Sequence, residues 1–119
     1  MFVKNKKDKP THEIILDDSG FSVKELGANV AHIRWSDVIE IFAFKRDVLT
    51  YDLICLGFRV SDDGTFWEVT EDFENYDQLE AELKREFPGI RTDWFCEVGF
   101  PAFEANRTTI WGERPPEKL

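Results

Sequence analysis

Two runs of apolar residues dominate the pattern along the chain, one at residues 38–44 and one at residues 53–60. Both runs are rich in β-branched and aromatic side chains, and a charged and polar connection separates them, which is typical of two sheet strands. The face of the second run that carries Ile54 and Leu56 is apolar. The opposite face is also apolar at its start, with Leu53 and Cys55. A strand that is covered on both sides is therefore predicted there.

Shorter alternating segments around these runs predict further strands. Residues 12–16 and 21–26 flank the string D-D-S-G and predict a β-hairpin, because Asp and Gly favour tight turns. A turn at residues 27–29 leads to a third strand at residues 30–35, and the side chains of Ser36 and Asp37 are expected to bond the following amides and bend the chain. The turn S-D-D-G at residues 61–64 then precedes a strand at residues 65–70.

One helix is predicted, at residues 76–87. Asn75 is a favourable N-cap, and Gln78 completes an N-x-x-Q variant of the capping box. An apolar stripe at helical spacing faces the sheet, and its members are Tyr76, Leu79, Leu83 and Phe87. The dipeptide P-G at residues 88–89 ends the helix.

The fold class predicted from this order is α+β. The helix is followed by two further candidate strands at residues 94–98 and 108–111, joined through a break at residues 99–101 whose Pro101 favours a sheet edge or an irregular crossing. We predict one domain over residues 11–112, a bent antiparallel sheet of about six or seven strands with one packed helix. An open antiparallel sheet with the helix on one face is the alternative. Residues 1–10 are expected to form a mobile basic tail and residues 113–119 a disordered tail.

The charge balance narrows the possible partners. The chain has 119 residues and a formal net charge of −9, and its first ten residues contribute +3, so that the remaining 109 residues sum to −12. Nucleic-acid binding is not expected, because phosphate contacts need clustered Lys and Arg. No apolar run reaches the length of a transmembrane helix, and the N-terminus lacks the apolar region of a signal peptide. We therefore expect a cytoplasmic protein without membrane contact.

Candidate nucleophiles and metal ligands are few. Cys55 and Cys96 are predicted to be buried thiols in a reduced compartment, with a disulfide or a metal pair as the alternatives. His12 and His32 lie on neighbouring predicted strands, but two histidines without a placed carboxylate do not make a metal site. No serine lies in a nucleophile turn and no glycine-rich phosphate loop exists. We predict no cofactor and no metal.

Two carboxylates are candidates for acid–base chemistry. Asp52 follows Tyr51, and Asp93 precedes Trp94, so each lies beside an aromatic residue and an apolar run. A carboxyl group in such surroundings acquires a raised pKa or bonds an indole. Acids at strand ends that point to water are the alternative reading.

The placement of negative charge is the clearest anomaly. Residues 62–82 carry nine acids and no Lys or Arg, namely Asp62, Asp63, Glu68, Glu71, Asp72, Glu74, Asp77, Glu80 and Glu82. Acids near the start of a helix stabilise it, which explains part of the run. The candidate partner-binding residues are those on the helix side, Asp72, Glu74, Asp77 and Glu80. A basic protein would be steered to them, and a solvated helix face is the alternative.

Several strings in the chain resemble those of a family of small uncharacterised bacterial proteins over about residues 12–112, namely I-R-W-S-D-V-I-E-I-F-A-F-K-R-D, Y-D-L-I-C-L-G-F, P-G-I and P-A-F-E-A-N-R-T-T-I-W. The W-S-D-V-I turn followed by a strand is also similar to bacterial pleckstrin-homology-like domains, in which a helix packs at the end of the sheet. The resemblance implies a bacterial protein of that fold and transfers no catalytic residue. That fold usually closes with its helix, whereas residues 88–119 follow the predicted helix here.

These features favour a non-enzymatic binding or regulatory protein, such as an immunity partner, that docks a basic protein through its acidic segment. Two alternatives stay open. One is a homo-oligomeric structural subunit that associates through exposed aromatic side chains. The other is a small-molecule enzyme that uses Asp52 or Asp93.

Overall fold

The computed structural model describes residues 11–47, 52–94 and 107–113, and the elements of this part are antiparallel strands and one α-helix. In chain order they are β1 (His12–Leu16), β2 (Gly20–Glu25), β3 (Ala28–Arg34), β4 (Glu40–Asp47), β5 (Asp52–Arg59), β6 (Trp67–Thr70), α1 (Tyr76–Glu86) and β7 (Thr108–Gly112). This arrangement confirms the predicted α+β class. The prediction of a single bent sheet is wrong, because the strands form a three-stranded sheet of order β1-β2-β3 and a four-stranded sheet of order β6-β5-β4-β7.

The three-stranded sheet is built from two tight turns. In the first, the Asp17 carboxylate accepts hydrogen bonds from the backbone amides of Ser19, at 2.7 Å, and Gly20, at 2.9 Å. In the second, Leu26 and Gly27 both have positive φ, 52° and 85°, as a two-residue hairpin turn requires. Because this turn needs only two residues, β3 begins at Ala28, two positions earlier than predicted.

A short 3₁₀ turn at Trp35–Asp37 separates the two sheets. No side chain caps this turn, and the amide of Val38 instead donates to the carbonyl of Trp35, so the predicted bonding by Ser36 and Asp37 is wrong. The Trp35 ring is buried, with ring centroids 5.5 Å from Phe21 of the first sheet and 5.8 Å from Phe87 beyond α1. The bend therefore sets one sheet against the other around a buried tryptophan.

The β4–β5 hairpin forms the centre of the four-stranded sheet. Its paired positions run without a shift from Glu40 opposite Arg59 to Asp47 opposite Asp52. All six residues from Ile54 to Arg59 are buried, which confirms the strand covered on both sides. At Gly57 the phenyl ring of Phe42 takes the space of a side chain, since a Cβ there would lie 2.3 Å from the ring Cζ.

Helix α1 packs its predicted stripe into the core, where Leu79, Leu83 and the following Phe87 are buried. The predicted capping box is wrong. Asn75 has a φ of 71°, makes no cap hydrogen bond and donates its side-chain amide to the carbonyl of Ile14 at 2.9 Å. The backbone of Glu74 also bonds His12 and Ile14, so the chain before the helix is joined to β1.

Strand β7 lies at an edge of the four-stranded sheet, paired with β4 through a register shift, as expected for this region. The predictions for residues 95–98, for the break at residues 99–101 and for Cys96 fall outside the described residues. So do both predicted tails, apart from Glu113. Within the described ranges, the structure has no helix with the length and apolar character needed to cross a membrane.

Candidate functional site

The acidic segment, residues 62–82, runs through a turn, strand β6, a loop and most of α1. Some of its carboxylates have local structural partners. Glu68 receives hydrogen bonds from the Arg46 guanidinium at 3.0 and 3.1 Å. Glu71 accepts from the backbone amide of Ile54 at 3.0 Å, and Glu82 pairs with Arg85 one turn along the helix. Glu68 therefore joins β6 to β4, and Glu71 joins the following loop to β5. These three acids are the less available part of the segment.

The acids predicted to bind a partner lie on the loop and the first half of α1. Asp72, Glu74 and Asp77 are exposed, whereas Glu80 is half-buried. Among the described residues, no Lys or Arg forms an ion pair with Glu74, Asp77 or Glu80. Burial and the neighbouring Glu80 raise the pKa of Tyr76, which lies one turn before it. The negative potential of this surface is thus only partly neutralised within the described chain.

Two exposed aromatic side chains lie within this segment, Phe66 just before β6 and Trp67 at its first position. Phe66 is 43% exposed and Trp67 is 45% exposed, values that are high for large apolar residues. Phe66 packs edge-on against Phe42 at 4.9 Å between ring centroids, so its position is fixed. Neither residue was predicted from the sequence to belong to a site.

A groove of about 160 Å³ opens beside Trp67. We call it the β6 groove, and its walls include Val23, Val30 and Ile33 of the first sheet and Trp67, Val69 and Phe73 of the second sheet and following loop. His12 also lines it, with its ring stacked on Phe73 at 4.5 Å between centroids. The groove is therefore a mostly apolar cleft between the two sheets with an aromatic wall, and Glu68 also lines it.

A second cavity, of about 130 Å³, lies between α1 and β7. Its floor is apolar, formed by Leu56, Leu83 and Ile110, and Glu80 and Lys84 stand among its polar residues. The cavity borders Trp94, the last described residue before residues 95–106.

The most enclosed ionic group is the Glu40 cluster, which consists of Glu40, Arg59, Arg107 and Thr109. The Glu40 carboxylate is 0% exposed. It accepts hydrogen bonds from Arg107 at 2.7 Å, Arg59 at 2.9 Å and Thr109 at 2.5 Å. Burial alone would raise the pKa of Glu40, but the hydrogen bonds from Arg107, Thr109 and Arg59 outweigh it and lower the pKa. With its acceptors occupied, this carboxylate is suited to holding β4, β5 and β7 together rather than to proton transfer.

The two carboxylates considered for catalysis each have a cationic neighbour. Asp52 is half-buried and lies 3.3 Å from the Lys45 ammonium, whose side chain is 2% exposed. Lys45 lies in β4, which extends beyond the apolar run at residues 38–44 into the charged connection. Asp93 is 79% exposed and lies 3.2 Å from Arg91. Neither carboxylate is in the set of residues that line the two cavities described above.

The histidines do not lie on neighbouring strands, because β2 separates β1 from β3. His12 lies 3.8 Å from Glu25, and His32 is hydrogen-bonded to Ser22 at 2.9 Å.

Cys55 is free and buried, as predicted, and burial raises the pKa of its thiol to about 12. The described residues contain no group of three or more His, Cys, Asp or Glu side chains that could hold a metal ion.

The chain was compared with protein-family models, curated proteins and solved structures. No protein-family model, curated protein or solved structure matches the chain.

Proposed function

We propose that this is a binding or regulatory protein without enzymatic activity, which docks a basic protein partner through its acidic segment. The observation that carries the proposal is the exposure of Asp72, Glu74 and Asp77 in a stretch of the chain that holds no Lys or Arg. A surface of one charge sign raises the rate at which an oppositely charged partner arrives and orients its approach. An immunity or regulatory partner is the kind of protein that this surface suits.

We also propose a pleckstrin-homology-like architecture and membership of the bacterial family that the sequence resembles. Two antiparallel sheets and one helix support this architecture. Strand β7 is an addition to it, because it follows the helix and pairs with β4 at the sheet edge.

The proposal is tested by capture of proteins from a cell lysate on the immobilised chain at low and high salt. The test variant neutralises the four acids with Asp72→Asn, Glu74→Gln, Asp77→Asn and Glu80→Gln. The matched control makes the same change in charge elsewhere, with Asp18→Asn, Glu25→Gln, Asp37→Asn and Glu86→Gln. Because exposed charges are screened by salt, basic proteins should bind the wild-type chain and the control at low salt and be released at high salt.

The test variant should capture these basic proteins poorly at either salt concentration. Circular dichroism of both variants verifies that the fold is kept. If the wild-type chain and the test variant capture the same proteins at both salt concentrations, the acidic segment is a solvated surface and the proposal is wrong.

A further inference from the structure

The β6 groove lies between two strands that are edges of their sheets among the described residues. In the described part of the chain, β6 is an edge strand of the four-stranded sheet and β3 is an edge strand of the three-stranded sheet. Residues of both strands line the groove, Val30 from β3 and Trp67 from β6 among them. Edge strands present unpaired backbone donors and acceptors, and an extended segment of another protein can bind them by adding a strand.

The apolar side chains at the mouth of the groove are accessible. Val30 is 47% exposed and Trp67 is 45% exposed, whereas Val69 deeper in the groove is 1% exposed. The Phe73 wall is held by the stacked His12 ring and by the backbone bonds that join Glu74 to β1. A segment that enters therefore meets a prebuilt surface, and Trp67 has the size and exposure of a binding hot spot.

Acidic residues lie before and after β6. Asp62 and Asp63 precede the strand, and Asp72 and Glu74 follow it, all of them exposed. No Lys or Arg is among the described residues that line the groove. Asp63 and Asp72 lie before and after β6, so a strand bound along β6 would meet acids near both of its ends.

We propose that the β6 groove binds an extended segment of a basic partner protein, with apolar side chains at alternate positions and Lys or Arg at both ends. The segment adds a strand to β6, places apolar side chains against Trp67 and Val30, and sets its cations beside the acids at either end. This inference rests on the proposed function and names the part of the partner that is recognised.

The experiment selects binders from a displayed library of random segments of about 12 residues, at about 0.15 M salt, against the full chain. The expected enrichment is an alternating apolar core flanked by Lys or Arg. Enriched segments are then synthesised, and their affinity is measured by fluorescence anisotropy. Methylation of backbone nitrogens in the core removes the donors of an added strand and should weaken binding about tenfold.

Two variants of the chain locate the binding. Trp67→Ala and Val30→Lys should each weaken binding about tenfold or more, through loss of the anchor and insertion of a cation into the groove. Leu26→Lys is the matched control, because Leu26 is 84% exposed in the β2–β3 turn and does not line the groove. It should leave the affinity unchanged. Thermal unfolding of each variant verifies that the fold is intact.

The outcomes separate the two proposals. The groove proposal is wrong if the selected segments lack an alternating apolar pattern flanked by cations. It is also wrong if the segments bind wild type, Trp67→Ala and Val30→Lys with equal affinity. The groove proposal is wrong, too, if the chain forms a concentration-dependent dimer that Trp67→Ala abolishes, because a second copy of the chain then occupies the groove. If the four-acid variant loses captured proteins but Trp67→Ala does not, the acidic segment binds without the groove. If the four-acid variant binds the selected segments as tightly as the wild type, the proposed function is wrong. The placement of the segment's cations is then wrong as well, and only strand addition at the apolar groove stands.

Discussion

The buried carboxylate of Glu40 lies between two arginines, with Arg59 6% exposed and Arg107 27% exposed in their side chains. The Arg59 guanidinium also donates to the backbone carbonyls of Ser61 and Glu113. A buried ion pair adds little net stability relative to apolar residues, but removal of one partner leaves the other charge buried without compensation. A substitution that removes the charge of Glu40 should therefore lower the stability of the fold, even when the volume of the side chain stays almost the same.

We expect Glu40→Gln to lower the free energy of unfolding by about 3–5 kcal/mol, because it removes the negative charge that compensates Arg59 and Arg107. Urea denaturation at neutral pH measures the change. The control is Glu25→Gln, which removes an exposed carboxylate 3.8 Å from His12 and should change stability by about 0–1 kcal/mol. Equal effects of the two substitutions would contradict the assignment of Glu40 as the structural acid.

At the scale of elements, helix α1 is held by its buried stripe. Leu79 is 0% exposed and Leu83 is 3% exposed. Leu83→Ala should lower the free energy of unfolding by about 2–4 kcal/mol, since it removes buried methyl groups and leaves a cavity. The comparison is Gln78→Ala on the exposed face of the same helix, which should have almost no effect on a urea midpoint. A midpoint for Leu83→Ala that equals that of wild type would place the helix elsewhere.

The elements themselves were largely predictable from the sequence. Apolar runs with β-branched residues fixed the positions of β4 and β5, and the 3.6-residue stripe fixed α1, because both patterns are local. The cap of α1 was not predictable from local sequence. Asn75 matches a capping signal, yet its side chain bonds Ile14, 61 positions away. The side chain of Asn75 makes this long-range hydrogen bond instead of the local capping bond, and the sequence around Asn75 does not indicate it.

The features of the candidate site were predictable only in part. The acidic segment is visible as composition, and the exposure of Asp77 followed from its position beside the stripe. The β6 groove was not visible, because its walls come from two sheets whose separation depends on the bend at Trp35–Asp37. Glu40 was hidden for the same reason, since its partner Arg107 is 67 positions away.

At the scale of the whole molecule, stability should depend on acid pH. The side-chain hydroxyl of Thr65, then that of Ser61 and the backbone amide of Thr65, bond the Asp63 carboxylate and lower its pKa from 3.8 to about 2. An acid with a lowered folded-state pKa stabilises the fold above its unfolded pKa, and this contribution is lost as pH falls through the folded value. The pKa values of Asp17 and Glu40 are lowered as well.

We therefore expect the unfolding temperature to fall as pH is lowered from 3.8 to about 2. Asp63→Asn should fall less steeply over this window, because it no longer titrates there. Asp18→Asn, in the first hairpin turn, controls for the general loss of negative charge. The idea fails if thermal unfolding across this pH range gives parallel curves for wild type and Asp63→Asn.

The Glu40 cluster also determines when the four-stranded sheet can form as the ribosome synthesises the chain. Its hydrogen bonds join positions 19, 67 and 69 residues apart, and the Arg59 bond to Glu113 spans 54. A nascent chain that has exposed β4 and β5 but not β7 holds the Glu40 carboxylate with only one of its arginines. Contacts this distant require closure of long loops, which delays them during folding. The four-stranded sheet should therefore close only after Glu113 has been synthesised, rather than strand by strand.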